Sequence, residues 1–258
     1  MLISTVTITK NEGDIITEML RSIEGQSDEL LVDDEGSTDG TVELVKKYGG
    51  KVFSSQGKTL GERKQGLIEK AKGDWILILD ADERVSKELK KEIKEILSER
   101  LPRSPQRRGP RNDNCNGYRI PYQNFVFGKP VYFGGENYAK VRLFRLGKGR
   151  VSLEPLHEEV TVEGKIGRLE GKILHHSYRT PVQLFIKFTN YARISAGEKR
   201  RARESVTLRK LFFYGPHMFW ARFIKEKGYR DGFHGFILAF AFAYMESLTY
   251  WYIFLRLR

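Results

Sequence analysis

Cysteine is nearly missing: Cys115 is the single one among 258 residues. That excludes an internal disulfide framework and a cysteine-rich zinc site, and it fits a reducing cytosol. Long apolar runs are missing too. The unbroken one from Phe236 to Met245 is shorter than the roughly 20 residues that span a bilayer. No basic region, apolar core and cleavage site open the chain, because Met1 runs straight into a strand-like segment. No signal peptide is therefore expected, and the N-terminus is expected to start folded. Acid is in deficit: 45 Lys and Arg stand against 33 Asp and Glu, a formal net charge of +12. Such an excess implies an anionic partner, whether nucleic acid, an anionic membrane or a phosphorylated substrate. A 40% hydrophobic content excludes a disordered chain and suffices for one large domain, or one domain with a substantial extension.

The acid that is present gathers at strand ends. From Trp75 to Leu79, five consecutive apolar residues bounded by Gly73-Asp74 and Asp80 are too few for a buried helix. They read as a strand buried on both faces, of the kind found in parallel sheets. Asp80 and Asp82 fall just past its C-terminal end, where open α/β sheets place their ligand crevice. Two apart in an extended chain, they point the same way. Hard oxygen donors with no sulfur or imidazole between them suit Mg²⁺ or Mn²⁺ carrying substrate phosphates. An Asp-x-Asp at a strand end also serves as a turn or helix cap, so the surrounding pattern has to decide.

Leu2 to Thr9 is rich in β-branched residues and predicts a first strand, closed by Lys10-Asn11-Glu12-Gly13. Ile16, Met19, Leu20 and Ile23 predict a helix. Leu30 to Val32 predicts a second strand, which runs into Asp33-Asp34-Glu35-Gly36-Ser37-Thr38-Asp39-Gly40, a second acidic strand end. A helix from Thr41 to Tyr48, a small strand from Lys51 to Phe53 and a helix opened by the capping box Thr59-x-x-Glu62 follow. This β-α-β-α-β-α-β alternation implies a parallel sheet with right-handed crossovers. Ser86 is expected to cap an amphipathic helix through Leu97. Leu101 to Asn116, rich in Pro, Arg and Asn, is expected to be a mobile loop. Gly117 to Tyr132 predicts a hairpin turning at Gly128-Lys129-Pro130, and Val141 to Arg145 and Glu159 to Val162 predict short strands. Beyond Arg179 the pattern is helical, with Pro181 near a start and an apolar stripe of Phe185, Phe188, Tyr191 and Ile194 expected to pack on the preceding α/β domain.

Taken together, these motifs carry a resemblance. Asp34-Glu35-Gly36-Ser37-Thr38-Asp39-Gly40-Thr41, the strand end Thr9-Lys10-Asn11-Glu12, Arg63-Lys64-Gln65-Gly66 and Asp80-Ala81-Asp82-Glu83 resemble the ordered motifs of family 2 glycosyltransferases, enzymes with the GT-A fold. Arg142-Leu143-Phe144-Arg145, Leu156-His157-Glu158, His175-His176-Ser177-Tyr178 and Asp231-Gly232 with Gly235-Phe236 resemble the branch containing lipopolysaccharide core glucosyltransferases. The resemblance covers nearly the whole chain. Three positions depart from it: Asp33 replaces an apolar strand residue, Glu35 replaces Asp or Ser, and Lys64 replaces Asn. The resemblance implies a divalent metal (Mg²⁺ or Mn²⁺), with Thr9, Glu12 and Asp34 on uridine and ribose and Arg63 near the pyrophosphate. Asp82 is then the direct metal ligand, Asp80 binds the ribose or a metal-bound water, and His157 binds the metal or a phosphate.

An inverting transfer also needs a base for the acceptor hydroxyl. Glu136, Glu158 and Glu159 are candidates. Glu158 is favoured through the His157-Glu158 motif, and Glu136, in Gly134-Gly135-Glu136, competes. His175 and His176 are adjacent in a strand and point to opposite faces, which favours structural roles over a metal pair. Lys199, Arg200, Arg201, Arg203, Arg209 and Lys210 lie shortly before aromatic helices, an arrangement suited to an anionic membrane surface with Trp and Tyr at the headgroups. A dimer interface or a helix buried on the domain would use the same residues, so a homo-oligomer stays open.

The expected fold is α/β of GT-A type: a Rossmann-like, mostly parallel sheet with helices on both faces, a mixed acceptor-side region and a helical C-terminal extension. The expected boundaries are 1–100 for the nucleotide-sugar-binding half and 101–116 for the loop. Residues 117–178 then form the acceptor-side β region of the same catalytic domain, and 179–258 the basic, aromatic extension. The expected activity is metal-dependent, inverting transfer from a nucleotide sugar, a UDP-sugar favoured, to a glycolipid or lipid-phosphate acceptor of lipid-linked or lipopolysaccharide type. The enzyme would be cytoplasmic and peripheral on the inner face of the cell membrane. The alternatives are a polyprenyl-phosphate glycosyltransferase, whose basic cluster would hold the lipid phosphate, and a basic nucleic-acid-binding protein without catalysis. Charge alone leaves two acidic strand ends unexplained, which counts against nucleic acid.

Overall fold

The computed structural model describes residues 2–55, 59–98, 115–152 and 159–255. In chain order the elements are β1 (Ile3–Thr9), α1 (Ile16–Ile23), β2 (Glu29–Asp34), α2 (Thr41–Lys47), β3 (Lys51–Phe53), α3 (Leu60–Ile68), β4 (Trp75–Ile78), β5 (Glu83–Val85) and α4 (Lys87–Ser98). Then come β6 (Gly117–Val126), β7 (Lys129–Val131), β8 (Ala139–Arg145), β9 (Gly149–Val151), β10 (Val160–Val162), β11 (Ile166–Arg168) and β12 (Ile173–Tyr178). The last three are α5 (Pro181–Arg201), α6 (Leu208–Trp220) and α7 (Gly232–Phe254). All but Cys115 and Asn116 of the expected mobile loop, together with His157 and Glu158, lie outside the described residues.

The chain forms two compact units. The first comprises Met1–Tyr122 and Ala139–His175. Its strands β3, β2, β1 and β4 are neighbours in that order and all parallel. β8 then runs antiparallel to β4, and β6 antiparallel to β8. The sheet is thus parallel through the βα repeat and turns mixed where the sequence pattern changes. From Trp75 to Leu79 every residue is at most 1% exposed, as an uninterrupted apolar run requires, although one neighbour of β4 is antiparallel. Helix α1 buries Ile16, Met19, Leu20 and Ile23, its 3–4-spaced stripe. Helix α3 begins with the expected capping box: Thr59 accepts from the Glu62 amide and the Glu62 carboxylate accepts from the Thr59 amide, both at 3.1 Å. Ser86 caps α4 through the Leu89 amide at 3.2 Å. Strand β5, which no periodicity announces, pairs with β12 so that Glu83 lies opposite His175.

The second unit comprises Gln123–Tyr138 and His176–Arg258. The hairpin from β6 to β7 turns at Phe127 and Gly128, with φ of +50° and +77°, rather than at Gly128-Lys129-Pro130. Two left-handed residues twist a two-residue turn the way its strands twist, and Lys129 and Pro130 are left in the strand. Thr180 caps α5, with Pro181 in its first turn. The buried stripe of α5 is Leu184, Phe188, Ala192 and Ala196, whereas Tyr191 and Ile194 are 42% and 43% exposed. Packing against α7 selects that face, so the expected stripe was rotated. One helical run among the described residues, Gly228–Phe254, is by length and composition long and apolar enough to cross a membrane. The ten-residue core read from the sequence understated it, because Glu246 is the one Asp, Glu, Lys or Arg between Phe233 and Phe254.

Candidate active site

Parallel pairing carries the C-terminal ends of β1, β2 and β4 to one edge of the first unit. Thr9 is paired with Asp34, and the Leu79 amide donates to the Val6 carbonyl at 3.1 Å. Asp34 organises the loop after β2. Its Oδ1 accepts from Thr9 Oγ1 at 3.1 Å and Ser37 Oγ at 2.5 Å, and its Oδ2 from the Gly36 and Ser37 amides at 2.9 and 2.8 Å. Four donors occupy the acceptor sites of one carboxylate. Burial pushes its pKa up, but these bonds prevail and hold it below the usual carboxylate range.

The loop after β1 is tied to the same frame. Asn11, at φ +52°, donates its amide to Ser37 Oγ at 2.8 Å and accepts from the Thr38 amide at 2.9 Å. The Glu12 amide donates to Thr41 Oγ1 at 3.0 Å, and the Gly13 amide to Asp39 Oδ2 at 2.9 Å. A Cβ on Gly13 would meet the Asp39 carbonyl oxygen at 2.8 Å, so this approach requires glycine.

Helix α3 brings two buried cations to this edge. The Arg63 guanidinium forks onto Asp33, Nε to Oδ2 at 2.9 Å and Nη2 to Oδ1 at 3.0 Å, and its Nη1 is 2.5 Å from Glu35. Asp33 is fully buried and also accepts from the Ser55 amide at 2.9 Å. Burial raises its pKa, while Arg63 and Ser55 outweigh burial and hold it low. Lys64 places Nζ 2.7 Å from Asp80 Oδ1, with its side chain 4% exposed. The three positions that depart from the family pattern therefore enter two ion-pair clusters, Asp33 and Glu35 with Arg63, and Lys64 with Asp80.

Asp80 is held on its other oxygen by Arg142 Nη2 at 3.0 Å. Arg142 also donates to Glu83 Oε1 at 3.2 Å and to the Tyr122 hydroxyl at 2.5 Å. The Asp80 amide donates to Glu83 Oε2 at 3.0 Å, and the Glu83 amide returns a bond to the Asp80 carbonyl at 2.9 Å. Burial works against ionisation of Asp80, yet the Lys64 and Arg142 charges hold its carboxyl far below the usual range. At Glu83 burial dominates and, with the Asp80 charge, pushes the carboxyl up against the pull of Arg142. Asp82 Oδ1 lies 3.6 Å from His175 Nε2. Burial lowers the His175 pKa, but the bond to Asp82 and the charges of Asp82, Glu83 and Asp80 raise it overall.

The structure thus brings together Thr9 with Asp34, Asp80 with Lys64 and Arg142, and Asp82 with His175. His175, expected to be structural, joins this acidic cluster, while His176 stacks on Phe125 with ring centroids 4.4 Å apart. Glu136 belongs to the second unit, where its Oε1 meets Arg222 Nη1 at 2.9 Å and its Oε2 accepts from Asn124 Nδ2 at 2.8 Å. Glu159 is exposed on the approach to β10. Sequence reasoning missed Lys64, Glu83, Tyr122 and Arg142 as members of the site. Their signal was weak: Arg142 sits between Val141 and Leu143 in a buried strand, a place where a charge needs a partner.

The strand-end carboxylate Asp82 is a hard oxygen donor of the kind that suits a divalent metal. Both Asp80 oxygens are taken up by Lys64 and Arg142. Among the described residues no group of three or more His, Cys, Asp or Glu side chains could hold a metal ion. A Mg²⁺-type site needs no such cage, because one or two carboxylates and the substrate phosphates suffice.

Acidic ends on β2 and β4, the two parallel neighbours of β1, in a sheet continued by antiparallel strands make this a GT-A glycosyltransferase architecture. TarS residues 1–349 of S. aureus in complex with UDP-GlcNAc has the same fold, with a TM-score of 0.51 at 15% identity over 97% of this chain and 91% of that one. The chain belongs to glycosyl transferase family 2, whose family model matches residues 4–143. It is similar over most of its length to the lipopolysaccharide core biosynthesis glycosyltransferase LpsC of Rhizobium meliloti (strain 1021), 27% identical over 96% of this chain and 90% of that protein. An uncharacterized glycosyltransferase of Rickettsia prowazekii (strain Madrid E) is also 27% identical, over 95% of this chain and 84% of that protein.

Proposed function

We propose that this glycosyltransferase moves a hexosyl group from a UDP-sugar, with inversion, to a lipid-linked or lipopolysaccharide-type acceptor at the cytoplasmic face of a membrane. The observation that carries the reading is the ordered edge of the first unit, where the Asp34–Asn11 frame and Asp82 close the ends of adjacent parallel strands in a family 2 chain. The comparisons support donor and acceptor class: TarS is seen with UDP and UDP-GlcNAc, and LpsC is named for lipopolysaccharide core synthesis.

In this reading Thr9, Glu12 and the loop ordered by Asp34 seat the nucleoside, and Arg63 contributes its charge from the clasp of Asp33 and Glu35. Asp80 acts from within its ion pairs, shaping the strand end beneath the donor. Asp82 is the residue that would hold a divalent metal, with His157 as a second ligand. Such an ion supplies Lewis-acid neutralisation of the leaving diphosphate. Glu158 takes the acceptor proton as general base. Glu136 is assigned a positioning role, because both its oxygens are engaged by Arg222 and Asn124.

The membrane assignment rests on α7, whose Phe233, Phe236, Phe240, Trp251 and Phe254 share one face and are 36–66% exposed, and on the exposed Lys225, Lys227 and Arg230 nearby. Incubation with UDP-glucose, UDP-galactose or UDP-GlcNAc and a truncated lipopolysaccharide acceptor, followed by NMR of the product, tests the reading. One UDP-sugar should give product of opposite anomeric configuration. A retained configuration would rule out inversion, and transfer from GDP- or ADP-sugars alone would overturn the donor class.

A further inference from the structure

The charge at the end of β4 is close to balanced. Three carboxylates, Asp80, Asp82 and Glu83, stand against Lys64 and Arg142 before His175 is counted. Lys64 tips this count. Its ammonium is buried at 2.7 Å from Asp80, on the opposite carboxylate oxygen from Arg142, so Asp80 presents little uncompensated charge to a ligand. With an uncharged side chain at position 64 the cluster would be one unit more negative. A cluster of that kind attracts a divalent cation and repels a diphosphate, whereas one with a single net negative charge repels it less.

We propose that Lys64 is a built-in counter-cation, a positioning residue that acts through Asp80 to let the donor site bind a nucleoside diphosphate with little help from a divalent metal. The inference rests on the donor-site reading above and adds the cation requirement of that site. The metal keeps its place at Asp82, and Lys64 lowers the site's affinity for it when no diphosphate is bound.

The test is calorimetric titration of UDP, in EDTA and in Mn²⁺, and of Mn²⁺ alone. It uses the wild-type protein, Lys64→Asn and the charge-restoring double variant Lys64→Asn/Asp80→Asn, with thermal melts to establish that each is folded. Wild type should bind UDP in EDTA within about tenfold of its affinity in Mn²⁺. Lys64→Asn should lose at least about tenfold in EDTA, recover with Mn²⁺, and bind Mn²⁺ alone more tightly than wild type. The double variant should regain binding in EDTA, and the recovery of Lys64→Asn by Mn²⁺ without any second substitution is what a merely structural role for Lys64 would not produce. Wild-type binding that needs Mn²⁺, or an equal loss in both conditions for Lys64→Asn, would overturn the proposal and leave the donor site standing. A folded wild type that bound UDP in neither condition would overturn the donor-site reading and this inference with it.

Discussion

At the scale of the residue, the strand-end edge is built from buried charges that need their partners. Asp33→Ala would leave the Arg63 guanidinium buried with Glu35 alone, and the loss of one member of such a pair costs about 3–5 kcal/mol. Urea unfolding should show that loss. The pH dependence follows from the same contact. Asp33 has a lowered pKa in the fold, so its contribution is present above the ordinary Asp value of about 3.9 and is lost as pH falls through the lower folded value. Asp33→Asn should therefore flatten the acid limb of stability as pH falls below the ordinary Asp range, and parallel limbs would contradict the assignment. Part of this was legible in the sequence. The acid-rich turn after β2 and the Asp80–Asp82 pair were readable as acidic strand ends, because carboxylates at strand ends are a local pattern. Arg142 could not be foreseen, since it reaches Asp80 from 62 residues away and only the sheet order makes them neighbours.

At the scale of the element, α3 matters most for the site, because it carries both Arg63 and Lys64. Its capping box fixes where the first turn begins, and Thr59→Ala should cost about 1 kcal/mol in unfolding experiments. In β4, Leu77 is fully buried, and Leu77→Ala should cost about 2–5 kcal/mol. A smaller loss would mean that the strand is less tightly enclosed than its burial states. Helices with a 3–4 stripe and a cap were readable, as α1 and α3 show, because both signals are local. The three-residue strands β5, β9 and β11 were not, since they are too short to display a period of two and exist through their partners. The buried face of α5 was misread for a related reason: α7, far along the chain, decides which side is covered.

At the scale of the whole molecule, an excess of positive charge and a helix with an exposed aromatic face support action on a lipid-borne acceptor. Phe236→Ser/Phe240→Ser should weaken co-sedimentation with anionic vesicles severalfold while leaving the thermal melt nearly unchanged, since both side chains are more than two-fifths exposed. Composition alone had left nucleic acid as a rival partner, and membership of family 2 now assigns the chain to glycosyl transfer. In the proposed function the strand-end edge is a uridine diphosphate site with Asp82 as its metal-facing carboxylate. Calorimetric titration with UDP, GDP and ADP in Mn²⁺, for wild type and Asp82→Ala, tests it most directly. UDP should bind alone among the three, and Mn²⁺ should no longer tighten UDP binding in the variant. Absence of UDP binding by a folded wild type, or the same response to Mn²⁺ in Asp82→Ala, would contradict it.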